Sequence, residues 1–396
     1  MLDVVLSHRF FQVVGVLLLL LGGVSARAQW RVDSGDARSA GRATFTVTGD
    51  IMGHQSQIDG AHLGRGRYDY RECFRLIAPY LRASDVSIGN LEVTLGGSPY
   101  TGYPRFSSPD TLVDFLQYAG FNVLTTANNH ACDRGTRGVI RTVATLERKA
   151  MHHTGSYRCP EERSANAPLL LEVNGLRVAV LAYTYATNGL VCNPPAIVDL
   201  IDTVQMVQDL QKADSLADAT IVCLHWGEEY RAMPTRQQER LKAFLFARGV
   251  SVIVGNHPHV IEPIDVWHDS SGRIRGLCIY SMGNLVSSQQ PFPRAGGLMV
   301  HFTLQKDSTG IAIEDTRYLL TYVERYSTVR GKNYRIVPLE SPLAIWSAND
   351  YAHRYVRHAT TLLEAASPYV LPIHRIPCAL RKPLPAPELC PNKKTH

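Results

Sequence analysis

The sequence lacks the local motifs of several large enzyme classes. It has no Gly-x-Ser-x-Gly elbow, no Gly-x-x-x-x-Gly-Lys-Ser/Thr phosphate loop, no His-Glu-x-x-His and no Gly-x-Gly-x-x-Gly after a predicted strand. Its eight cysteines are scattered without a Cys-x-x-Cys, and no internal repeat is found. A nucleophile elbow, a nucleotide phosphate loop, a zinc ribbon and a small disulfide scaffold are therefore not indicated.

The apolar content of the chain is sufficient for a large core. The chain has 396 residues, of which 45% are hydrophobic, and this allows one large domain or two smaller ones. The formal charge of +6 comes from 41 basic and 35 acidic residues that are mixed throughout the chain. Scattered charge of this kind is typical of a solvated surface, so we predict no nucleic-acid partner.

The N-terminus is typical of an exported protein. Residues 10–24 form an apolar run after His8 and Arg9, and Ala26 and Ala28 stand at the small-residue positions of a signal-peptidase site. We predict a signal peptide over residues 1–28, a polar linker over 29–43, and a mature protein in the periplasm or cell envelope of a bacterium. An uncleaved membrane anchor is the alternative, although the apolar run is short for a transmembrane helix.

Export permits disulfide bonds between cysteines in loop-like segments. The pattern leaves two pairs open, Cys159 with Cys192 and Cys378 with Cys390. Cys132 is assigned to packing.

After the linker, predicted strands and helices alternate, which favours a mainly parallel sheet. Strands are predicted at ATFTVTGD, DVSIGNLE, FNVLTTANNH, LRVAVLAYTYA, ATIVCLHWG and VSVIVGNHPH, with helices between them. The segments RGLCIYSMGN and GGLMVHFTLQ are expected to be antiparallel strands that close a second sheet. We place a main domain at residues 44–305. A C-terminal extension at 306–396, with a helix at 349–366, is expected to pack on that domain.

Polar side chains follow the predicted strands at the point where each strand ends. The crevice at the carboxyl ends of parallel strands is where open α/β sheets bind ligands. Histidine and carboxylate are ligands that Zn, Mn and Fe accept, so a divalent-metal site is predicted in this crevice. The residues that reach it are Asp50, Asn90, Glu92, Asn128, Asn129, His130, His225, Glu229, His257 and His259.

Several of these residues also have a structural interpretation. Asp50 could lie in a turn, and the pair Asn129 and His130 could cap a helix. Asp133 suits the start of the helix that follows, because aspartate caps a helix N-terminus well. Tyr185 lies beyond the end of another predicted strand. It has two possible roles, packing at the rim of the sheet or contact with a substrate.

The His-Pro-His segment is the most specific of the single patterns. His257 and His259 are two residues apart, so they face the same way if the segment is extended. Pro258 between them restricts the backbone of that segment.

Six blocks of the sequence resemble, in order, the motifs of one protein family. They are TGDIMGH, SIGNLEVTL, TTANNHACDRG, LHWGEEY, GNHPHVIEPID and YSMGNLVSSQ. By these blocks the chain is identified as a member of the CapA (PgsA-like) family of capsule or poly-γ-glutamate biosynthesis proteins. The blocks cover roughly Thr44 to Phe302, and the C-terminal portion carries no matching motif.

The resemblance implies an α/β fold with a metal-dependent site. The implied fold is a four-layer α/β/β/α sandwich similar to that of the calcineurin-like metallophosphoesterases. It implies one or two divalent ions per chain, Mn, Fe or Zn, with Glu92 in the bridging position. The implied metal ligands are Asp50, Glu92, Asn129, His225, His257 and His259. His130 is the implied catalytic residue, which assists the leaving group. The candidate substrate-binding residues are Asn90, Asn128, Glu229, Ser281 and Asn284.

Two positions depart from the metallophosphoesterase pattern and leave the number of metals open. The first motif usually reads Asp-x-His, whereas here Met52 stands at the position of the histidine and a histidine follows only at His54. The second carboxylate is Glu92, where an aspartate is usual.

The implied function is a role in the biosynthesis of a capsule or of poly-γ-glutamate. The site would perform metal-assisted hydrolysis or transfer, on a phosphoester or on a γ-glutamyl amide. The alternative is a non-catalytic accessory protein that binds or exports an anionic envelope polymer. The expected partners are that polymer, poly-γ-glutamate or a capsule polysaccharide, and membrane proteins of its biosynthesis or export.

Overall fold

Two large β-sheets that pack face to face form the centre of the structure. The structure, a computed structural model, describes residues 30–32, 41–290, 293–339 and 371–372. The predicted signal peptide at 1–28 and the predicted helix at 349–366 lie outside these residues. No helix within them is long and apolar enough to cross a membrane.

The elements are numbered in chain order over the described residues. The first strands are β1 (Trp30–Val32), β2 (Arg42–Ile51), β3 (His62–Gly64), β4 (Arg67–Tyr68), β5 (Val86–Leu91), β6 (Val123–Thr125), β7 (His152–Thr154), β8 (Ser156–Tyr157), β9 (Leu169–Val173) and β10 (Leu176–Thr184). The others are β11 (Ile197–Val198), β12 (Ala219–His225), β13 (Val252–Asn256), β14 (Ile264–His268), β15 (Ile274–Ile279), β16 (Asn284–Val286), β17 (Gly296–Asp307), β18 (Gly310–Thr328), β19 (Gly331–Pro338) and β20 (Leu371–Pro372). The helices are α1 (Gln55–Ala61), α2 (Arg71–Phe74), α3 (Ala78–Leu81), α4 (Thr111–Ala119), α5 (Gly135–Arg148), α6 (Pro160–Asn166), α7 (Thr203–Leu216) and α8 (Arg236–Phe246).

Both large sheets have a parallel centre and antiparallel strands towards an edge. Sheet I has the strand order β1-β9-β10-β12-β13-β15-β14, with β10, β12, β13 and β15 parallel. Sheet II has the order β19-β18-β17-β2-β5-β6-β7, with β2, β5, β6 and β7 parallel. In addition, β16 pairs with β2 and β20 with β18. The predicted alternation is confirmed for both centres, since parallel neighbours need a crossover connection that is usually a helix.

Apolar residues on both faces of the parallel strands define four layers. Phe45 and Val47 of β2 belong to the same buried core as Val178 and Val180 of β10, and this core lies between the sheets. Leu181 follows on β10, and because side chains alternate along a strand it faces the other way. It packs in the core formed with α7 and α8. Helices α2, α3, α4 and α5 supply a third core on the outer face of sheet II. The predicted four-layer α/β/β/α sandwich is thereby confirmed.

Of the two segments expected to be antiparallel strands of a second sheet, GGLMVHFTLQ is one and RGLCIYSMGN is not. β15 runs parallel to β13 in sheet I, whereas β17 runs antiparallel to β2 in sheet II. The chain crosses between the sheets after β15, where Met282 N–H donates to the Gly255 carbonyl and Asp50 N–H donates to the Gly283 carbonyl. This crossing is tight, since a Cβ on Gly49 would lie 2.0 Å from the Gly283 carbonyl oxygen. The first motif therefore needs its glycine.

Sheet II continues across residue 305, where the main domain is predicted to end. That residue lies inside β17, and β18 and β19 extend the sheet to Pro338. The predicted linker at 29–43 likewise contains β1, which pairs with β9. Cys159 and Cys192 are separate thiols in this structure, and Cys378 and Cys390 lie outside the described residues.

Candidate metal centre

The strand register aligns polar residues across the carboxyl ends of both sheets. In sheet II, Asp50 at the end of β2 lies beside Asn90 of β5. In sheet I, His225 at the end of β12 lies beside Asn256 of β13. All four side chains are buried. Since the two sheets pack face to face, these ends form the two walls of one crevice.

The predicted metal ligands meet in this crevice. Asp50 Oδ2 lies 3.1 Å from His259 Nδ1, and Glu92 Oε1 lies 3.7 Å from His259 Nε2. On the other side of Glu92, its Oε1 lies 3.5 Å from His225 Nε2. Asn129 Oδ1 completes the contact at 3.0 Å from the same His225 nitrogen.

Three overlapping groups of side chains have donor atoms close enough to hold a cation. Within each group, all the donor atoms lie within 4.8 Å of one another. Glu92, His257 and His259 each belong to two of these groups. The groups are Asp50, Glu92 and His259; Glu92, His225 and His257; and Glu229, His257 and His259.

The Glu92 carboxylate is the observation that tests whether these residues fit a metal. Its side chain is fully buried, and neither carboxylate oxygen has a hydrogen-bond donor among the described residues; the adjacent Asp50 carboxyl is a partner only when one of the two acids is protonated. His257 Nδ1 is also buried without a hydrogen-bond partner in that part of the chain. Buried charged groups are stable only when they are paired or bind a metal. Carboxylate, amide and imidazole donors fit a divalent cation of the Zn, Mn or Fe type.

The charges of the ligands are set by burial and by one another. Burial, followed by the charge of Asp50, holds the pKa of Glu92 well above its usual value. Burial also opposes ionisation of Asp50, but the hydrogen bond and charge of His259 outweigh it and lower the pKa of Asp50. Burial holds the pKa of His225 well below its usual value and lowers that of His257 to about 3. Both imidazoles are therefore neutral near neutral pH, which is the form that binds a cation.

The His-Pro-His segment is bent, so the condition for both histidines to face the same way from an extended segment is not met. His257 has φ of 101° and His259 has φ of 56°, both in the region that residues with a side chain rarely adopt. The bend lets His257 N–H donate to Asp50 Oδ2 at 3.3 Å. Such a conformation costs about 1–3 kcal/mol per residue, and it persists where the surroundings hold it. Here the contact with sheet II holds it.

His130 stands beside the ligand cluster and is oriented by Asp133. His130 Nδ1 lies 2.8 Å from Asp133 Oδ2, and the ring packs edge-on against Phe106 with centroids 4.6 Å apart. The prediction that Asp133 caps the next helix is wrong, because α5 begins after Arg134 without a side-chain cap. In addition to its contact with His130, the Asp133 carboxylate accepts a hydrogen bond from Phe106 N–H at 2.7 Å. With Nδ1 held, Nε2 is the nitrogen left for proton transfer.

Two of the candidate substrate-binding asparagines hold parts of the centre. Asn90 Nδ2 donates to Asp50 Oδ1 at 2.8 Å. Asn128 Nδ2 donates to the Leu91 carbonyl at 2.8 Å, and its Oδ1 accepts from His130 N–H at 3.1 Å. Both are buried, and these contacts give them positioning roles.

The remaining candidate substrate-binding residues differ in exposure. Ser281 is fully buried and donates to the Val260 carbonyl at 2.7 Å, while buried Asn284 has its Oδ1 3.1 Å from His259 Nδ1. These two fix the loop that carries His259. Glu229, in contrast, is exposed at the mouth of the crevice, where a substrate can reach it.

His54 does not replace the histidine that the first motif lacks. Its Nδ1 lies 3.2 Å from Gln57 Oε1 at the start of α1, and burial lowers its pKa to about 4. Met52, at the position of the usual histidine, is buried in the core beneath the helices of sheet II.

Three aromatic or charged groups at the mouth complete the site. Tyr185, which the sequence left open, lies 4.5 Å from the His257 ring between centroids and is 44% exposed. Sequence analysis missed Tyr230 and Arg294. Tyr230 lies inside the LHWGEEY block, which was a usable signal, whereas Arg294 lies outside all six blocks and had none.

Comparison with known proteins places the chain in a family. The sequence model described as "Bacterial capsule synthesis protein PGA_cap" matches residues 44–289, a range that includes every predicted metal ligand. The chain belongs to this family. It is similar to the capsule biosynthesis protein CapA of Bacillus anthracis, with 29% identity over 323 residues, 75% of this chain and 74% of the relative. It is also similar to the PGA biosynthesis protein CapA of Bacillus subtilis (strain 168), with 29% identity over 250 residues, 60% of this chain and 62% of the relative.

Solved structures give weaker likenesses. A phosphatase from Mycoplasma pneumoniae is 16% identical, with a TM-score of 0.40 over 71% of this chain and 94% of that one. A 5'-nucleotidase precursor from Thermus thermophilus is 15% identical, with a TM-score of 0.42 over 81% of this chain and 59% of that one. No activity is inferred for this chain from these two likenesses.

Proposed function

We propose that this protein is an exported, metal-dependent hydrolase or transferase that acts on a capsule polymer or poly-γ-glutamate. The observation that carries the proposal is the buried Glu92 carboxylate, whose two oxygens lack a donor among the described residues while it faces His225 and His259. A protein that used this pocket only for packing would gain stability from a neutral residue there.

The residues that would hold the cations come from both sheets. Glu92 is common to the group with Asp50 and His259 and to the group with His225 and His257, so these residues would together hold one or two divalent cations. A cation held there would supply Lewis-acid polarisation of the attacked oxygen and a more nucleophilic water near neutral pH.

The proton for the leaving group would come from His130. Its Nδ1 is held by Asp133, so the ring is oriented and the opposite nitrogen can donate. Phe106 packs against the imidazole and limits its rotation.

The polymer is proposed from the two relatives, which are named for capsule and PGA biosynthesis. Export is proposed from the apolar run at 10–24 and the small residues that follow it. Both proposals support a place in the cell envelope, where an anionic polymer would be the partner.

A non-catalytic accessory protein is the second candidate, and one observation favours it. The first motif lacks its histidine, and His54 is engaged with Gln57. A site that has lost this group could bind an anionic polymer without turnover.

Assays of phosphodiesters and γ-glutamyl peptides with wild type and His130→Ala test the proposal. Wild type should turn over at least one of these substrates, and the variant should be slower by about 10²–10⁴-fold with its metal content intact. Equal activity of the two proteins would contradict the role of His130. Inactivity of both, with metal bound, would favour the accessory protein.

A further inference from the structure

An arginine side chain stacks on a tyrosine at the mouth of the metal centre. The Arg294 guanidinium carbon lies 4.5 Å from the centre of the Tyr230 ring, which in turn lies 6.2 Å from the His259 ring. Tyr230 is 45% exposed, so this stack is open to solvent. The Tyr230 ring therefore lies between the Arg294 guanidinium and His259, a candidate metal ligand.

Hydrogen bonds fix Arg294 relative to the centre. Tyr230 N–H donates to the Pro258 carbonyl at 2.7 Å, between the two histidines of the bent segment. Asn284 Nδ2 donates to the Arg294 carbonyl at 2.9 Å, while Asn284 Oδ1 lies 3.1 Å from His259 Nδ1. The side-chain amide of Asn284 thus contacts both the backbone of Arg294 and the ring of His259.

A purely structural role accounts poorly for this arginine. Over the described ranges it forms no ion pair, whereas nearby Arg231 pairs with Glu228 at 3.1 Å. The tyrosine contact engages the face of the guanidinium, and Arg294 also hydrogen-bonds the Tyr230 side chain. A guanidinium has five N–H donors in one plane, so donors remain for a ligand. Such a planar fork of donors matches the two oxygens of a carboxylate or the oxygens of a phosphate.

We infer that Arg294 binds an oxyanion of the substrate beside the metal centre and so selects an anionic polymer. This inference rests on the proposed function and names the chemistry of its substrate. The carboxylate of a γ-linked glutamate and the phosphate of a phosphoester offer the same recognition. Arg294 is a binding residue here and transfers no proton.

Calorimetric titration of the full chain, with and without Mn²⁺, tests the inference. The ligands are inorganic phosphate and γ-linked triglutamate, each titrated into wild type, Arg294→Gln, Arg294→Lys and Arg248→Gln. Arg248 is a matched control, because its guanidinium carbon lies 3.7 Å from the Phe244 ring on α8. Thermal melting of each variant checks that it is folded.

Loss of at least about tenfold in affinity is expected for Arg294→Gln, since a hydrogen-bonded charge is removed. Arg294→Lys should recover part of that loss, and Arg248→Gln should bind as wild type does. If only phosphate or only triglutamate loses affinity, that ligand is the class of oxyanion that Arg294 recognises.

Two results would overturn the inference. One is wild-type affinity for both ligands in folded Arg294→Gln, and the other is binding of neither ligand by wild type. The proposed function fails separately. If wild type binds no metal but Arg294→Gln still loses anion affinity, the metal-dependent activity is contradicted and the oxyanion site stands.

Discussion

The two sheets supply different chemistry to the same crevice. Sheet II brings oxygen donors at the ends of β2, β5 and β6, namely Asp50, Glu92 and Asn129. Sheet I brings imidazoles at the ends of β12 and β13, namely His225, His257 and His259. The mixed donor set of the centre is complete only when both sheets contribute. The site therefore depends on the packing of one sheet against the other.

Glu92→Gln should disrupt the centre, because it removes the carboxylate that two of the candidate groups share. Metal affinity should fall by more than the roughly 10–100-fold that loss of a supporting residue costs.

At mildly alkaline pH the metal-free Glu92→Gln variant should also melt at a higher temperature than metal-free wild type. Burial raises the pKa of Glu92, so ionising it costs stability in the folded protein. Metal titration and thermal melting measure both effects. Unchanged metal affinity would contradict the shared role.

Asp50→Ala and His225→Ala compare the contribution of the two sheets. Each removes a donor from a different group, so each variant should keep about one cation per chain where wild type binds about two. Elemental analysis of the purified variants measures the stoichiometry. Complete loss of metal in both would mean that one cation is shared between the sheets.

Asp133→Asn should reduce turnover without removing metal. Asp133 orients His130 from 2.8 Å and is absent from the candidate metal groups of the described residues, so turnover should fall by about 10–100-fold with metal content unchanged. Asp114→Asn is the control, because Asp114 is half-exposed and pairs with Lys149 on the surface. Wild-type turnover in Asp133→Asn would show that the pair has only a structural role.

Glu262→Gln should change the pH dependence of stability. Burial raises the pKa of Glu262 from 4.5 to about 7, although the hydrogen bond from Gln238 opposes the shift. The folded protein therefore holds this proton more tightly than the unfolded chain, and wild-type stability should fall as pH rises from 4.5 to about 7. Denaturant unfolding across this range should show a weaker decline in the variant. Glu239→Gln, on exposed α8 surface, should behave as wild type. Identical slopes for Glu262→Gln and wild type would contradict this account.

The sequence was informative where the function depends on strand ends. Asp50, Glu92 and His225 could be predicted because alternating strands and helices reveal where each strand stops, and the carboxyl ends of parallel strands meet. The family resemblance then indicated which of these polar residues act together. The alternation of strands and helices also indicated an α/β fold with a mainly parallel sheet, whereas the four-layer sandwich was implied by the family resemblance.

The sequence was uninformative where long-range contacts decide the structure. The bend at His257 is held by Asp50 from the other sheet, which no local pattern contains. Asp133 has a residue type suited to a helix cap, but a histidine three residues earlier takes its carboxylate. Arg294 carries no motif, and only folding brings it to Tyr230.

Elemental analysis of the full-length protein tests the central claim most directly, with Glu92→Gln as its control. We predict one or two equivalents of Mn, Fe or Zn per chain in wild type and a marked loss in the variant. Chelation should lower the Tm of wild type, since a ligand at a hundred times its Kd stabilises a protein by about 2.7 kcal/mol. A wild-type protein that is metal-free, takes up no divalent cation and melts unchanged after chelation would contradict the metal centre.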